Sequence, residues 1–230
     1  MKNVLITGAT SGIGLAISEK LLELGYFVYG IGRDFSKVNI ENSNFKSIVC
    51  DLEKYQNIEM MIKNLRKEVE IDILINCAGL GYFGPHEEIN PTKLHKMIAV
   101  NLEAPLILSQ LLLRDLKKRE GVIINISSIT ATKSSTYGCA YSATKAGLVH
   151  FSKGLFDEVR KTGVKVISIL PDITKTPFYD NLNFKEGDSE DSYILPECVA
   201  NAVEIVLTQR EGTVLTEIIL QPQKHIIKRK

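Results

Sequence analysis

The 230-residue sequence has no tryptophan, four cysteines, four histidines and a formal net charge of only +1. Because the charges balance, nothing indicates a nucleic acid or an acidic surface as a partner. No two cysteines form a Cys-x-x-Cys pair and the histidines have no ligand spacing, so we expect neither a metal site nor a disulfide framework. Cys50, Cys77, Cys139 and Cys198 are therefore expected to be reduced packing residues of a cytoplasmic protein.

Long apolar runs are also missing. No run reaches the length of a membrane span, and a strand pattern begins at Val4, which leaves no room for a signal peptide. The composition that is present, 44% hydrophobic and 24% charged, is that of a globular protein. We therefore expect residues 1–230 to form a single domain with a large core and no membrane segment.

Short apolar runs alternate with helical patterns along the whole chain. The runs at 4–6, 27–31, 45–50, 71–75, 122–126, 164–170 and 217–221 predict strands. Helical patterns occupy 15–24, 58–65, 91–116, 141–161 and 196–207, and residues 178–195 are irregular and acidic. This alternation predicts an α/β fold, a Rossmann-type doubly wound parallel sheet of about seven strands with helices on both faces. Ligands bind such sheets at the carboxyl ends of the strands.

A glycine-rich loop, residues 7–14, joins the first predicted strand to the first helix. Gly8 permits a tight turn, Gly12 lets the backbone approach a pyrophosphate, and Gly14 lets helix and strand pack closely. The helix start offers free N–H groups and a positive dipole end to an anion. The loop therefore predicts a dinucleotide site, and a plain strand-to-helix turn is the alternative.

The end of the second predicted strand bears on which dinucleotide binds. An NAD site usually has an acidic residue there, but this chain has Gly32 followed by Arg33. An arginine attracts a 2′-phosphate, so we expect NADP(H) to be favoured over NAD(H). Two alternatives stay open: Arg33 is an ordinary surface residue, or Asp34 pairs with it and weakens the preference.

Tyr141 and Lys145 stand four residues apart in a predicted helix, a spacing that places both side chains on one face. An ammonium near a phenol favours the phenolate and lowers the tyrosine pKa, so the pair predicts a general acid or base. The same spacing also occurs by chance on solvated helices.

Pro105 lies inside the predicted helix 91–116. Proline has no N–H to donate to the carbonyl four residues earlier, which here belongs to Asn101. We therefore expect a local break that leaves this carbonyl free, and a simple kink is the alternative.

In this order, the motifs resemble those of the short-chain dehydrogenase/reductase family over almost the whole chain. The matching parts are Thr7-Gly8-x3-Gly12-Ile13-Gly14, Asp51-Leu52, Asn76-Cys77-Ala78-Gly79, Asn101, Ser128 and Tyr141-x3-Lys145. The spacing between the family's serine and tyrosine selects Ser128 over Ser127. Two positions depart from the family pattern: Cys77 replaces an asparagine, and Asp172 replaces the glycine that usually follows Pro171. Asp172 puts the local backbone path and the Thr174 contact in doubt.

The resemblance implies a set of catalytic residues. Ser128 would hydrogen-bond the substrate oxygen, Tyr141 would exchange a proton with it, and Lys145 would lower the Tyr141 pKa and bind the nicotinamide ribose. The backbone carbonyl of Asn101 would hold a water of a proton relay. The cofactor-binding residues that the resemblance implies are Gly8, Thr10, Ser11, Gly12, Ile13, Gly14, Arg33, Asp51, Leu52, Asn76, Ala78, Gly79, Tyr141, Lys145, Thr174 and Thr176.

The resemblance further implies an NADP(H)-dependent oxidoreductase that interconverts a small alcohol or hydroxy acid and its ketone or aldehyde. It also implies a homodimer or homotetramer, paired through helices 92–116 and 141–161. Because residues 178–195 are acidic, a reductase of 3-oxoacyl carrier-protein thioesters ranks second. A non-catalytic dinucleotide-binding sensor ranks third, since Ser128, Tyr141 and Lys145 are all present.

Two segments near the C-terminus carry weaker signals. Residues 178–193 are loosely similar to the NADP-dependent 3-hydroxy acid dehydrogenases. The basic tail, residues 224–230, is expected to be solvated, with attraction of an anionic ligand as the alternative.

Overall fold

Seven parallel strands form one sheet in the computed structural model, which describes residues 1–230. They are β1 (Asn3–Thr7), β2 (Phe27–Gly32), β3 (Phe45–Val49), β4 (Ile73–Asn76), β5 (Val122–Ile126), β6 (Lys165–Pro171) and β8 (Glu217–Leu220). A separate antiparallel pair consists of β7 (Phe184–Glu186) and β9 (Ile227–Arg229). The large sheet has the order β3-β2-β1-β4-β5-β6-β8, so the order in which strands are added reverses between β1 and β4.

Helices cover both faces of the sheet, as the sequence predicted. They are α1 (Gly12–Glu23), α2 (Tyr55–Leu65), α3 (Pro91–Ile98), α4 (Ala104–Arg119), α5 (Cys139–Val159) and α6 (Pro196–Leu207). One hydrophobic core lies under α1 and α6, and a second lies under α2, α4 and α5. This is the doubly wound architecture.

Alternate residues of each central strand supply the two cores. On β1, Val4 and Ile6 belong to the core under α1 and α6, and Leu5 belongs to the opposite core. All three are fully buried, and each such side chain contributes about 1.5–3 kcal/mol relative to exposure. A strand buried on both faces is apolar at nearly every position, which is why the sequence shows almost continuous runs.

The helical segment Pro91–Arg119 is long and apolar enough to cross a membrane by length and composition alone. Its apolar residues are used inside the fold instead. Leu108, Leu112 and Leu116 are buried in the core that α4 shares with α2 and α5. We therefore interpret the segment as a core helix of an α/β domain.

The C-terminal tail differs from the sequence expectation. Its side chains are exposed, but its backbone is not simply solvated, because β9 pairs with β7 over 184–186 and 227–229. The segment 178–195, predicted to be irregular, therefore contains one short strand. Hydrogen bonds between backbones hold the tail beside this segment, at the carboxyl end of the large sheet.

Candidate active site

A cavity of about 1630 Å³ opens at the carboxyl ends of the strands, beside the reversal point between β1 and β4. This volume exceeds the roughly 300–1,000 Å³ of most small-ligand sites. Residues from the glycine loop, from the segments after β4 and β5, from α5 and from the tail contribute to its wall. The cavity is therefore large enough for a dinucleotide and a second small molecule.

Two glycines of the glycine loop lie where the backbone leaves no room for a side chain. Gly8 has a left-handed φ of 74°, and a Cβ there would lie 2.9 Å from the Cα of Ala78. A Cβ on Gly14 would lie 2.1 Å from the carbonyl oxygen of Gly8, so this position excludes any side chain. Ser11 precedes α1 without a side-chain cap, and no acidic residue occupies the first turn. The first N–H groups of α1 are thus left for an anion at the cavity wall.

The loops after β1 and β4 are tied together by Thr7. Its Oγ1 accepts hydrogen bonds of 3.0 Å from the backbone N–H groups of both Cys77 and Ala78. Cys77, the departure from the family pattern, packs its side chain against the core under α1 and α6. Cys77 thus changes only the side chain at this position of the family pattern. The backbone N–H groups of Cys77 and Ala78 still bond to the glycine loop through Thr7.

Arg33 lies at the far end of the cavity, directly after β2. Its side chain has no carboxylate within 4.0 Å, because Asp34 accepts a 2.8 Å hydrogen bond from the Ser36 N–H instead. The hydrogen bonds from Ser36 hold the pKa of Asp34 below its usual value. The alternative in which Asp34 pairs with Arg33 is therefore not what the structure shows.

The two adjacent serines after β5 have different positions. Ser128 lies on the cavity wall, and its Oγ accepts a 3.2 Å hydrogen bond from the Thr130 N–H. The Oγ of Ser127 donates to the backbone carbonyl of Lys145 at 3.0 Å. Both serines line the cavity, but the Ser127 hydroxyl is used to fasten β5 to α5, whereas the Ser128 hydroxyl bonds only within its own loop and with Tyr141.

Tyr141 and Lys145 are brought together on α5, as their spacing predicted. Both are nearly buried, with 9% and 4% of their surfaces exposed, and the Lys145 ammonium lies 5.8 Å from the Tyr141 ring centroid. The Nζ of Lys145 donates to the carbonyl of Ile126 at 3.0 Å. Tyr141 and Lys145 are therefore two neighbouring ionisable groups on the cavity wall.

The pKa values of this pair differ from the sequence expectation that Lys145 lowers the Tyr141 pKa. Burial raises the pKa of Tyr141 to about 12, and a hydrogen bond with Ser128 opposes this increase. Burial also lowers the pKa of Lys145 to about 8. Desolvation penalises the charged form of each group. This penalty outweighs the stabilisation of the Tyr141 phenolate by the Lys145 ammonium that the spacing alone suggested.

Asn101 is fully buried behind Lys145, within a π-helical turn, Ala99–Glu103, that separates α3 from α4. In this turn the N–H of Ala104 bonds to the carbonyl of Ala99, and Pro105 lies in the first turn of α4. The local break predicted from Pro105 is thus present as a π turn. The Asn101 side chain exchanges hydrogen bonds of 2.9 and 2.8 Å with the Leu80 backbone, which fixes the segment beside Gly79.

Asn76 is not brought to the cavity, although the resemblance implied that it lines the ribose. It is 2% exposed and donates a 2.8 Å hydrogen bond to Asn125, which in turn donates to Ser152. These side chains join β4, β5 and α5 beneath the site. The remaining residues of the implied cofactor set lie on the cavity wall: Gly8, Thr10, Ser11, Gly12, Ile13, Gly14, Arg33, Asp51, Leu52, Ala78, Gly79, Tyr141, Lys145, Thr174 and Thr176.

Asp172, the second departure, keeps the following segment in place. Its Oδ1 accepts a 2.7 Å hydrogen bond from the Ile173 N–H, and its carboxylate lies 3.2 Å from Nδ1 of His225 in the tail. Thr174 donates to the carbonyl of Asp172 at 2.9 Å, and both residues lie on the cavity wall. The carboxylate that replaces glycine therefore contacts the C-terminal tail.

An aromatic cluster, which the sequence analysis missed, surrounds Tyr141. The Phe83 ring centroid lies 5.3 Å from that of Tyr141 and 5.1 Å from that of Phe184. Phe178 lies 5.9 Å from Tyr141, and Tyr179 lies next to Phe178 and Phe184. These rings come from three separate segments, and only the aromatic content of 178–184 could have indicated them. They give the space in front of Tyr141 an apolar wall.

The sequence model of the family described as short chain dehydrogenase matches residues 2–187. An uncharacterized oxidoreductase of Staphylococcus epidermidis is 31% identical over 227 residues, covering 96% of this chain and 97% of that protein. The 3-oxoacyl-[acyl-carrier-protein] reductase of Rickettsia felis is 31% identical over 229 residues, covering 95% of this chain and 94% of that protein.

A solved structure has the same fold over nearly the whole length. The alcohol dehydrogenase of the archaeon Thermococcus sibiricus, complexed with 5-hydroxy-NADP, superposes with a TM-score of 0.86 at 25% identity. The match covers 98% of this chain and 99% of that chain. The glycine loop, Ser128, Tyr141 and Lys145 therefore occur within a full-length match to oxidoreductases.

Proposed function

The chain belongs to the short-chain dehydrogenase family, and from this premise we propose that it interconverts a small alcohol or hydroxy acid and its ketone or aldehyde with a nicotinamide dinucleotide, preferably NADP(H). The observation that carries this proposal is the buried pair of Tyr141 and Lys145 beside Ser128, on the wall of one cavity with the glycine loop. An acid–base group and an anion cradle in one cavity are what such a reaction needs.

The residues present fit a dinucleotide. The uncapped start of α1 and the close approach at Gly8 suit a pyrophosphate, and Asp51 with Leu52 suits the adenine. Ala78 and Gly79 suit a ribose, and Thr174 and Thr176 suit a carboxamide; all four lie on the cavity wall. When bound, the nicotinamide supplies the hydride chemistry.

Ser128 and Tyr141 act on the substrate oxygen. Ser128 donates a hydrogen bond to it, and Tyr141 donates its phenolic proton during reduction or accepts a proton during oxidation. Because burial raises the Tyr141 pKa to about 12, the tyrosine is protonated at neutral pH. That is the form that carbonyl reduction consumes.

Lys145 acts beside the tyrosine. With a pKa of about 8, its side chain is mostly an ammonium at neutral pH, which favours a developing phenolate on Tyr141. Its Nζ lies at the surface of Gly79, where a Cβ would be 3.4 Å away, so it also reaches a ribose hydroxyl bound there. No carboxylate pairs with this ammonium, although desolvation lowers its pKa.

The Asn101 carbonyl is the proposed relay position behind Lys145. Two features support it: Pro105 has no N–H for this carbonyl, and the π turn shifts the hydrogen-bond pattern of the helix at this residue. A water on this carbonyl would return a proton to the pair after each turnover. The side chain of Asn101 has the separate task of holding the Leu80 backbone.

Reduction of a 3-oxoacyl carrier-protein thioester is the second candidate. The Rickettsia felis relative carries that name. The acidity of residues 178–195 argued against it, but two of these carboxylates, those of Asp188 and Asp191, form ion pairs with Lys228 and Lys224 of the tail. A thioester should therefore be included beside alcohols and hydroxy acids in the first substrate screen.

A homodimer or homotetramer is also proposed. A groove between α4 and α5 is lined by Leu106, Leu113 and Phe151 together with polar residues. These are the helices that the family resemblance assigned to subunit pairing. Light scattering on the purified chain measures the assembly directly, and a monomeric mass would contradict the proposal.

Tyr141→Phe tests the function. It removes the proton donor and keeps the ring, so we expect turnover to fall by about 100-fold or more while dinucleotide binding is nearly unchanged. Steady-state rates and fluorescence titration measure the two effects. Tyr55→Phe, the same change at an exposed residue of α2, is the control. A Tyr141→Phe enzyme with full turnover would contradict the mechanism.

Arg33→Ser tests the cofactor preference. A charge-assisted hydrogen bond contributes about 1.5–3 kcal/mol, so the NADPH dissociation constant should rise about 10-fold or more while that of NADH stays the same. Lys37→Ser removes a cation from the same exposed loop and should change neither constant. Equal weakening of both dinucleotides would show that Arg33 does not recognise the 2′-phosphate.

Pro105→Ala tests the relay. The new N–H can bond to the Asn101 carbonyl, so we expect a lower rate and a changed pH–rate profile. Pro91→Ala, at the first position of α3, is the matched control because that N–H is free in any helix. An unchanged rate and profile in Pro105→Ala would argue against a relay through this carbonyl.

A further inference from the structure

The C-terminal tail places one basic side chain at the cavity that has no partner within the protein. Lys224 pairs with Asp191 at 2.8 Å, Lys228 pairs with Asp188, and His225 lies 3.2 Å from Asp172. The Nζ of Lys230 donates to the carbonyls of Tyr179 and Asp180 at 2.5 and 2.8 Å. Arg229 alone among the basic residues of the tail has neither an ion pair nor a side-chain hydrogen bond. Its guanidinium is therefore free to bind a ligand.

The register of the two short strands explains why Arg229 faces the cavity. Phe184 is directly opposite Arg229, and Lys185 is opposite Lys228. Directly opposed residues of an antiparallel pair lie on the same face, and successive residues alternate. Phe184, Ile227 and Arg229 lie on the cavity wall, and Lys185 and Lys228 do not. The inner face of this pair thus presents an aromatic ring and an arginine to the cavity, whereas Glu186, opposite Ile227, shares this face by register but does not lie on the cavity wall.

The aromatic cluster connects this face to the reacting end of the site. The Phe83 ring stands between the rings of Tyr141 and Phe184, at 5.3 and 5.1 Å. A substrate with its oxygen at Tyr141 would therefore have an apolar part along Phe83 before it reaches the region of Arg229. A guanidinium matches a carboxylate in geometry and charge, because its N–H groups form a planar fork.

We propose that Arg229 is a specificity-determining residue that binds the carboxylate of a hydroxy acid or oxo acid whose reacting carbon is separated from the carboxylate by an apolar chain. This assignment rests on the proposed function and narrows its substrate class. A 2-hydroxy acid is too short, since its carboxylate is bonded directly to the reacting carbon. The preference for the acid over its ester should therefore grow as the chain between the hydroxyl carbon and the carboxylate lengthens.

Backbone pairing is what makes the placement specific. Besides the β7–β9 hydrogen bonds, the N–H of Gly187 donates to Ile226 and the N–H of Lys230 donates to Asn183, both at 3.0 Å. The two outward ion pairs reinforce the same alignment. The tail therefore presents Arg229 at a defined register position, opposite Phe184.

The test compares each of several 2-, 3-, 4- and 5-hydroxy acids with its own methyl ester, which lacks only the carboxylate charge. For the wild-type protein, kcat/KM should favour the 4- and 5-hydroxy acids over their esters, the preference should be smaller for the 3-hydroxy acids, and the 2-hydroxy acids should show none. In Arg229→Gln the acid-to-ester ratio should fall about 10-fold or more, and Arg229→Lys should retain part of it. The ratio is used because a general loss of activity leaves it unchanged.

Two control variants isolate the effect. Lys185→Gln removes one positive charge from the outer face of the same strand pair and should leave the ratio unchanged. Lys133→Gln removes another cavity-wall lysine that has no carboxylate partner, and a loss of the ratio there rather than in Arg229→Gln would overturn the assignment. Equal turnover of acids and esters by the wild type would also overturn it.

If the proposed oxidoreductase function is wrong, the same experiment gives a different result. In that case the wild-type protein would oxidise neither the acids, nor the esters, nor simple secondary alcohols with either dinucleotide, and the inference about Arg229 would fall with it. Turnover of esters and alcohols without any carboxylate preference would leave the oxidoreductase function standing and refute only the role of Arg229.

Discussion

The site depends on one costly interaction, a lysine ammonium held in the interior of the protein. Lys145 is 4% exposed, and its Nζ donates to a single protein acceptor, the carbonyl of Ile126, at 3.0 Å. Burying a charge without an ionic partner is unfavourable, and the lowered pKa of Lys145, about 8, expresses this penalty. Such a position persists only if the surrounding structure holds it firmly.

Several independent elements hold it. Ser127 binds the Lys145 carbonyl, and the Asn125–Ser152 hydrogen bond joins β5 to α5 beneath the site. From the other side, the Asn101 amide donates to the Thr144 hydroxyl at 3.2 Å and so fastens the π turn to α5. These polar side chains are buried and paired within the protein, which favours a single arrangement of the helix that carries the acid–base pair.

Much of this could be predicted from the sequence, because the determining signals are local. A strand buried on both faces is a nearly continuous apolar run, a proline must break a hydrogen bond, and the glycines at 8 and 14 lie where a side chain would collide with backbone. The raised pKa of Tyr141 and the lowered pKa of Lys145 could not be predicted from local sequence, because burial depends on tertiary packing. The same holds for Asn76, which bonds to a strand 49 residues away.

The pairing of β7 with β9 was the least predictable part of the fold. Each strand has three residues, their sequences are charged, and about forty residues separate them, so neither shows a strand pattern of its own. The role of Asp172 could be assigned only from the structure, in which its carboxylate contacts His225 of the tail. Asp172, which replaces the family's glycine, thus contacts the C-terminal tail, and the tail forms part of the cavity wall.

Direct titration of the Lys145 side chain tests the central claim, that the fold buries a lysine which still carries charge at neutral pH. Carbon-13 NMR on lysine-labelled protein would follow its ε-carbon through neutral and alkaline pH, with Lys145→Met to assign the resonance. We expect a midpoint near 8, well below the usual value for lysine. A midpoint at the ordinary lysine value would contradict this expectation, because it would show that burial does not penalise the Lys145 ammonium.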